Sequence, residues 1–298
     1  MKGMALLMKL WDMFLNLVLA GFGCIVLWYV LLITTFATFT IPTDSMEPAI
    51  LPGDMVMVNK WVMGGRIFNL WDEREDDEEL EMVGRLPAFG KVERNDVLVF
   101  NFPYPGEWDS IGLDLKRYYI KRCVALPGDT IQITNSRYRV RGCDEDLGNV
   151  EAQETLERMH KTKWGEEYGI SMKGYPRSEK VDWSIRQFGP MYVPEAGATV
   201  RMDSLNYDLY RYVIEWEQRK KLSLQGDSIL LGDSLITEYC FEKDYYFTAG
   251  DNVMNSQDSR YWGLLPEPYI VGVATRVIKS VNPINKKLRW NRIFKAIE

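Results

Sequence analysis

The chain has 298 residues, with 42 acidic residues, 36 lysines and arginines, a single histidine and a net charge of −6. That length accommodates one large or two modest domains, and the negative balance argues against nucleic acid as a partner. One histidine, His160, leaves little scope for imidazole catalysis or a histidine-bound metal.

From Met13 to Thr43 no residue is charged, a run of 31. About 20 apolar residues cross a bilayer, so the run predicts a transmembrane helix over 13–40. A cleavable signal peptide has an apolar core of about 7–15 residues, which is too short to describe it. Lys2 and Lys9 precede the run, while Asp44, Glu47 and Asp54 follow it. The lysines put residues 1–12 in the cytoplasm and the rest of the chain outside. Pro42 stops helical continuation, and Ser45 follows in Ile41-Pro42-Thr43-Asp44-Ser45-Met46-Glu47-Pro48. A serine so placed lies at a membrane surface.

Beyond the span the chain reads as mainly β. Strands are expected at Met55–Asn59, Asp96–Asn101, Tyr118–Leu126, Thr130–Ile133, Tyr138–Arg141, Ile229–Leu231, Tyr245–Thr248 and Tyr269–Ile278, many of them separated by turn residues. Between the first two lies Asp72–Glu81, with eight acidic residues and one arginine. It has neither histidine nor EF-hand spacing and reads as a solvated loop within 72–82. In the strand at Tyr118, period 2 sets Tyr119, Lys121, Cys123 and Ala125 on one face and Arg122 on the other. A lysine among such neighbours can be desolvated, which lowers its pKa. At the ordinary value of about 10.4, only roughly 0.1% is neutral near pH 7.4, so a base needs a shift of a few units. Taken singly, Lys121 reads as a solvated cation and Ser45 as a turn or cap serine, and the pair gains meaning only together with a third segment, Gly250–Gly263.

Two helical stretches, Glu151–Trp164 and Asn206–Lys221, fall between Cys143 and Cys240 in a polar segment. Cys24, Cys123, Cys143 and Cys240 show no zinc spacing, and outside the cytoplasm Cys143–Cys240 is the preferred disulfide. Gly250–Gly263 is a polar loop whose Ser256 can orient a lysine amine and whose Asp258 and Arg260 can brace it by an ion pair. In the basic tail from Lys286 to Glu298, Trp290, Ile293, Phe294 and Ile297 have the spacing of one helical face. Such a face can rest on anionic headgroups or pack on the β domain.

Four segments in order, Ile41–Asn59, Arg94–Pro103, Tyr118–Asp129 and Gly250–Gly263, resemble the boxes of the bacterial type I signal peptidases (leader peptidases). Asn95 stands where that family has glycine, and Val253-Met254 where it has Arg-Asp. The resemblance implies a Ser/Lys dyad, with Ser45 as nucleophile and Lys121 as general base. Thr43 and the Ser45 N–H would form the oxyanion hole, Ser256 would orient the lysine, and Asp258 and Arg260 would support the loop. Asp44 is expected to face outward, because a carboxylate turned inward would oppose an oxyanion. The resemblance implies no cofactor or metal, preproteins with small residues before the cut as substrates, and a single-pass protein of the bacterial cytoplasmic membrane with its catalytic domain on the periplasmic face. It also implies a catalytic β domain at 41–142 and 241–285 with a mixed α+β insertion at 143–240. The alternatives are a catalytically silent membrane scaffold, which would be expected to have lost Ser45 or Lys121, and a Ser/Lys self-cleaving regulator, which would be soluble and carry a DNA-binding domain in place of the span.

Overall fold

The computed structural model describes residues 2–68, 82–106, 108–159 and 172–298. His160, the acidic run Asp72–Glu81 and the end of the helical stretch Glu151–Trp164 lie outside the described residues. Helix α1 spans Lys2–Thr35. Within it, Lys9–Trp28 is long and apolar enough to cross a membrane and buries nothing against the other described residues, as a lipid-facing helix should.

The helix ends at Thr35, five residues before the expected end of the span. Phe36–Thr40 instead forms strand β1. Its sequence, FATFT, is rich in aromatic and β-branched side chains that suit a pleated surface. It pairs antiparallel with β2, Asp54–Asn59, setting Phe36 opposite Asn59 and Thr40 opposite Met55. A hairpin of β3 (Arg66–Phe68) and β4 (Met82–Arg85) follows.

The next strands are β5 (Val97–Asn101), β6 (Tyr118–Ala125), β7 (Thr130–Thr134) and β8 (Arg137–Val140). Helix α2 (Val150–Met159), β9 (Phe188–Tyr192), β10 (Thr199–Arg201) and helix α3 (Ser204–Gln218) continue the chain. Then come β11 (Leu222–Gln225), β12 (Ser228–Leu231), β13 (Ser234–Ile236), β14 (Glu238–Cys240) and β15 (Tyr245–Ala249). Helix α4 (Ser259–Trp262), β16 (Leu265–Pro266) and the long β17 (Ile270–Ser280) complete the main elements.

Seven strands form one antiparallel sheet in the order β1-β2-β17-β5-β6-β15-β16. Period 2 divides its side chains between two cores. Val97, Val99 and Ile120 join Ile41, Met46, Ile50, Val56 and Val58 on one side. Leu98, Phe100 and Cys123 join Tyr104, Tyr261 and Trp262 on the other. Met46 and Ile50 are fully buried, so the residues just after Ser45 are fixed in the core.

The segment 143–240 is not closed on itself. The three-stranded sheet β8-β7-β9 runs across its expected start. A third core packs Leu209, Tyr210, Val213 and Ile214 of α3 with Val124, Ala125 and Phe247 of the main sheet. Cys143 and Cys240 are free thiols, so the pair preferred for a disulfide is not joined. Cys240 lies opposite Thr199 in the β10-β14 pair, and its thiol faces the Gly197 carbonyl at 3.5 Å.

The tail also differs from its helical spacing. A single 3-10 turn at Trp290–Arg292 is followed by extended chain that bridges Ala296 to Arg276 of β17. Backbone pairing to an available strand outweighs an isolated two-turn helix, which is marginal by itself. Trp290 and Phe294 are exposed, whereas Arg292 is buried against Asp54 at 2.6 Å.

Candidate active site

The segment carrying Ser45 is a turn between β1 and β2. Its amides are tied locally, Glu47 N–H to the Asp44 carbonyl and Ile50 N–H to that of Met46, both at 2.9 Å. Asp54 accepts the Leu51 N–H at 2.9 Å. Burial would raise the Asp54 carboxyl, but hydrogen bonds from Arg292 and Ser280 hold it below its ordinary value. The turn is thus pinned at its far end by a buried charge.

Lys121 reaches the turn from the third residue position before Val124 in β6. Its Nζ lies 2.6 Å from Ser45 Oγ and 3.0 Å from the Ile120 carbonyl. Lys121 is 4% exposed and Ser45 8%. Burial brings the lysine pKa down to about 8, opposed by the Asp258, Asp251 and Asp44 carboxylates and assisted by Arg260. Tyr119, on the same strand face, sets its ring 5.5 Å from the amine. A hydroxyl within hydrogen-bond reach of an amine that can be neutral near pH 8 can be deprotonated for attack.

Ser256 lines the same cleft, of about 660 Å³, as Ser45 and Lys121. Its Oγ is buried and has no hydrogen-bond partner among the described residues. The second contact of the lysine amine is therefore the Ile120 carbonyl in place of Ser256. Thr43 is exposed and lines that cleft as well. The Ser45 N–H donates to no group among the described residues. The Asp44 side chain is half-buried and accepts from Asn255 Nδ2 at 2.9 Å, at the flank of the turn.

Asp258 and Arg260 form an ion pair of 2.8 Å with both side chains wholly buried. Asp258 caps α4 and also accepts the Gly250 N–H at 2.9 Å. Arg260 donates to the Val253 carbonyl at 2.9 Å, closing the loop on itself. Val253, where the family pattern has a charged residue, is buried in the core beneath this loop.

Several positioning residues had no assigned part in the sequence reading. A Cβ on Gly250 would lie 2.2 Å from Ser256 Oγ and 2.5 Å from the Ser45 carbonyl oxygen. Asn252 N–H donates to that same carbonyl at 3.1 Å, and Asn252 Nδ2 to the Asp44 carbonyl at 3.3 Å. Asp251 is held by Arg122 through two bonds of 2.7 Å. Arg122 also donates at 2.7 Å to the backbone carbonyls of Asn95 and Glu298. The one available signal was Arg122, set by period 2 on the strand face opposite Lys121. Asn95 has φ +71°, a left-handed conformation that glycine or asparagine tolerates best.

The family model described as "Signal peptidase, peptidase S26" matches residues 14–278. Signal peptidase I of Helicobacter pylori (strain J99) is 25% identical over 292 residues, covering 93% of this chain and 90% of its own. Signal peptidase I of Pseudomonas aeruginosa is 28% identical over 267 residues, covering 86% of this chain and 69% of its own. Signal peptidase I of Buchnera aphidicola subsp. Schizaphis graminum is 25% identical, with coverages of 86% and 71%. Because the family model spans all but the two ends of the sequence, the chain belongs to the signal peptidase I family, peptidase S26, serine endopeptidases that cleave signal peptides from exported preproteins.

Proposed function

We propose that Ser45 is the nucleophile and Lys121 the general base of this signal peptidase. The observation that carries the reading is the 2.6 Å contact between a buried amine and a buried hydroxyl. Neutral Lys121 takes the Ser45 proton as Oγ attacks the scissile carbonyl. The resulting ammonium returns a proton to the departing amine, leaving an ester on Ser45. Lys121 then deprotonates the water that hydrolyses the ester and returns that proton to Ser45 Oγ as the acyl group departs as a carboxylate. Ser256, whose Oγ has no hydrogen-bond partner among the described residues, holds the amine once the Ser45 hydroxyl has been acylated. Asp258 and Arg260 support the loop through their buried ion pair. The Ser45 N–H and the Thr43 hydroxyl receive the oxyanion.

The substrate binds in extended form beside β1, whose Phe39 and Thr40 line the cleft, and pairs with it through the main chain. Alternate side chains then meet Val99 and Ile120, which favours small residues at the first and third positions before the cut. The apolar α1 and the placement of Lys2 and Lys9 support an anchor in the bacterial cytoplasmic membrane, with the catalytic domain on the outer face. The 41–142 and 241–285 segments form the catalytic part, and 143–240 is an insertion that shares its core. No observation favours a silent scaffold or a self-cleaving regulator.

The test is cleavage of a preprotein by the detergent-solubilised protein, with sequencing of the new N-terminus. Ser45→Ala and Lys121→Ala are each expected to abolish cleavage, while His160→Ala retains it. An active Lys121→Ala alongside an inactive His160→Ala would overturn the dyad. Thr43→Val is expected to lower turnover by about 10²–10³ and Thr43→Ser to retain it. Unchanged turnover in Thr43→Val would assign the second oxyanion donor to another group.

A further inference from the structure

The insertion contributes Arg177 to the lining of the substrate cleft, at a place where none of the resembling boxes falls. Tyr175 N–H donates to the Arg260 carbonyl at 2.7 Å, and Gly174 N–H to that of Trp183 at 3.0 Å. The segment around Tyr175 is therefore docked on the brace of the catalytic loop. Two residues later Arg177, with φ +60°, projects its guanidinium 5.2 Å from the Trp108 ring. Both residues line the cleft that holds Ser45 and Lys121. Arg177 is exposed and, among the described residues, forms no ion pair. The charged groups lining the cleft are Asp44, Lys116, Lys121 and Arg177. Asp44 is engaged with Asn255 beside Ser45, so the arm toward Trp108 is cationic.

A stack of rings links that arm to the reacting centre. Lys121 Nζ is 5.5 Å from the Tyr119 ring, which stacks on Phe102 at 4.4 Å; Phe102 meets Trp108 at 6.2 Å. With a strand rise of about 3.3 Å per residue, such a path is covered by a few residues of extended peptide. The direction follows from the membrane. The apolar segment of a preprotein approaches from α1 and enters along β1, at Phe39 and Thr40. Within the cleft, Phe39 packs with the face of Val99 and Ile120, whereas Trp108, beneath Arg177, packs with the face of Phe102 and Tyr119. The chain after the cut leaves that way. A stacked guanidinium keeps its in-plane donors free for a carboxylate.

We infer that Arg177, held over Trp108, is a specificity-determining residue that favours an acidic side chain in the first few residues after the cleavage site of the preprotein. This rests on the Ser45/Lys121 reading of the same cleft. The test uses full-length protein in neutral detergent and matched peptides carrying Glu, Gln or Lys at each of the first six positions after the cut. At one or two of those positions, kcat/KM is expected to favour Glu over Lys by roughly fivefold, the scale of one exposed ion pair. The preference is expected to shrink with added salt, to vanish in Arg177→Ala and to reverse in Arg177→Glu. A preference that is the same in wild type and Arg177→Ala at all six positions would overturn the inference. So would an Arg177-dependent rate that follows the anionic lipid content of added vesicles and ignores peptide charge. Ser45-dependent but charge-blind cleavage sinks this inference alone, whereas cleavage that survives in Ser45→Ala sinks the dyad.

Discussion

A buried lysine is a thermodynamic burden, which the proposed role of Lys121 as general base would explain. Moving the Lys121 pKa from 10.5 to about 8 corresponds to about 3 kcal/mol against the folded state wherever the amine is protonated in both states. The unfolded chain binds more protons between pH 8 and 10.5, so stability rises with pH through that window. Below pH 8 the whole penalty is present. Lys121→Met is therefore expected to be inactive yet more stable at pH 7 by up to about 3 kcal/mol, and to lack the rise above pH 8. Denaturant titration at several pH values checks both. For the active protein, kcat/KM is expected to increase with pH around a midpoint near 8, because only the neutral amine accepts the Ser45 proton. A flat profile would mean that another group is the base. Gly250 is the companion case for sterics. Its replacement by alanine places a carbon 2.5 Å from the Ser45 carbonyl oxygen and must displace Ser45 or the loop. Displacement of about 1 Å costs on the order of 10²-fold in rate, so Gly250→Ala is expected to fold and cleave at least that much more slowly. Wild-type rates in Gly250→Ala would show that the loop yields without disturbing Ser45.

At the scale of elements, the buried Arg122–Asp251 pair joins β6 to the catalytic loop. Removing one partner strands the other charge in the interior, which costs about 3–5 kcal/mol. Arg122→Met is expected to destabilise by that amount, and Arg122→Met with Asp251→Leu to recover most of it while cleavage stays impaired. Full activity in the double variant would mean that Asn252 and Gly250 hold the loop unaided. The strand carrying Lys121 and the strand that follows the Arg94–Asp96 segment were legible because their β-branched and aromatic residues are bounded by clear turns, as at Pro127-Gly128-Asp129. β1 was not legible. FATFT extends an uncharged run, and only the presence of β2 alongside decides between helix and strand. The tail was misread for the same kind of reason: its i, i+3, i+4, i+7 spacing is real, but β17 offers backbone partners that a short helix cannot match. The Ser45–Lys121 pair was readable from motif order. Its surroundings, including Asn252 on the Ser45 carbonyl and Arg177 over Trp108, join residues far apart in sequence and had no local signal.

The boundary between anchor and enzyme governs how the whole molecule can be divided. Helix α1 ends at Thr35, and β1 belongs to the seven-stranded sheet and to the wall of the cleft. A chain beginning at Phe36 keeps that strand, whereas one beginning at Ile41 exposes the edge of β2 and loses Phe39 and Thr40 from the site. The Phe36 form is expected to cleave short soluble peptides at close to the full-length rate. On a preprotein in lipid it is expected to fall well behind, because the span confines enzyme and substrate to one surface and raises their effective concentration. The Ile41 form is expected to lose activity on both substrates and to melt at a lower temperature. Thermal unfolding in detergent and paired assays on peptide and preprotein separate these cases. Equal peptide cleavage by the two shortened forms would show that β1 contributes neither stability nor substrate pairing. Equal loss on peptide and preprotein by the Phe36 form would instead make α1 a folding element, and the proximity argument would fall.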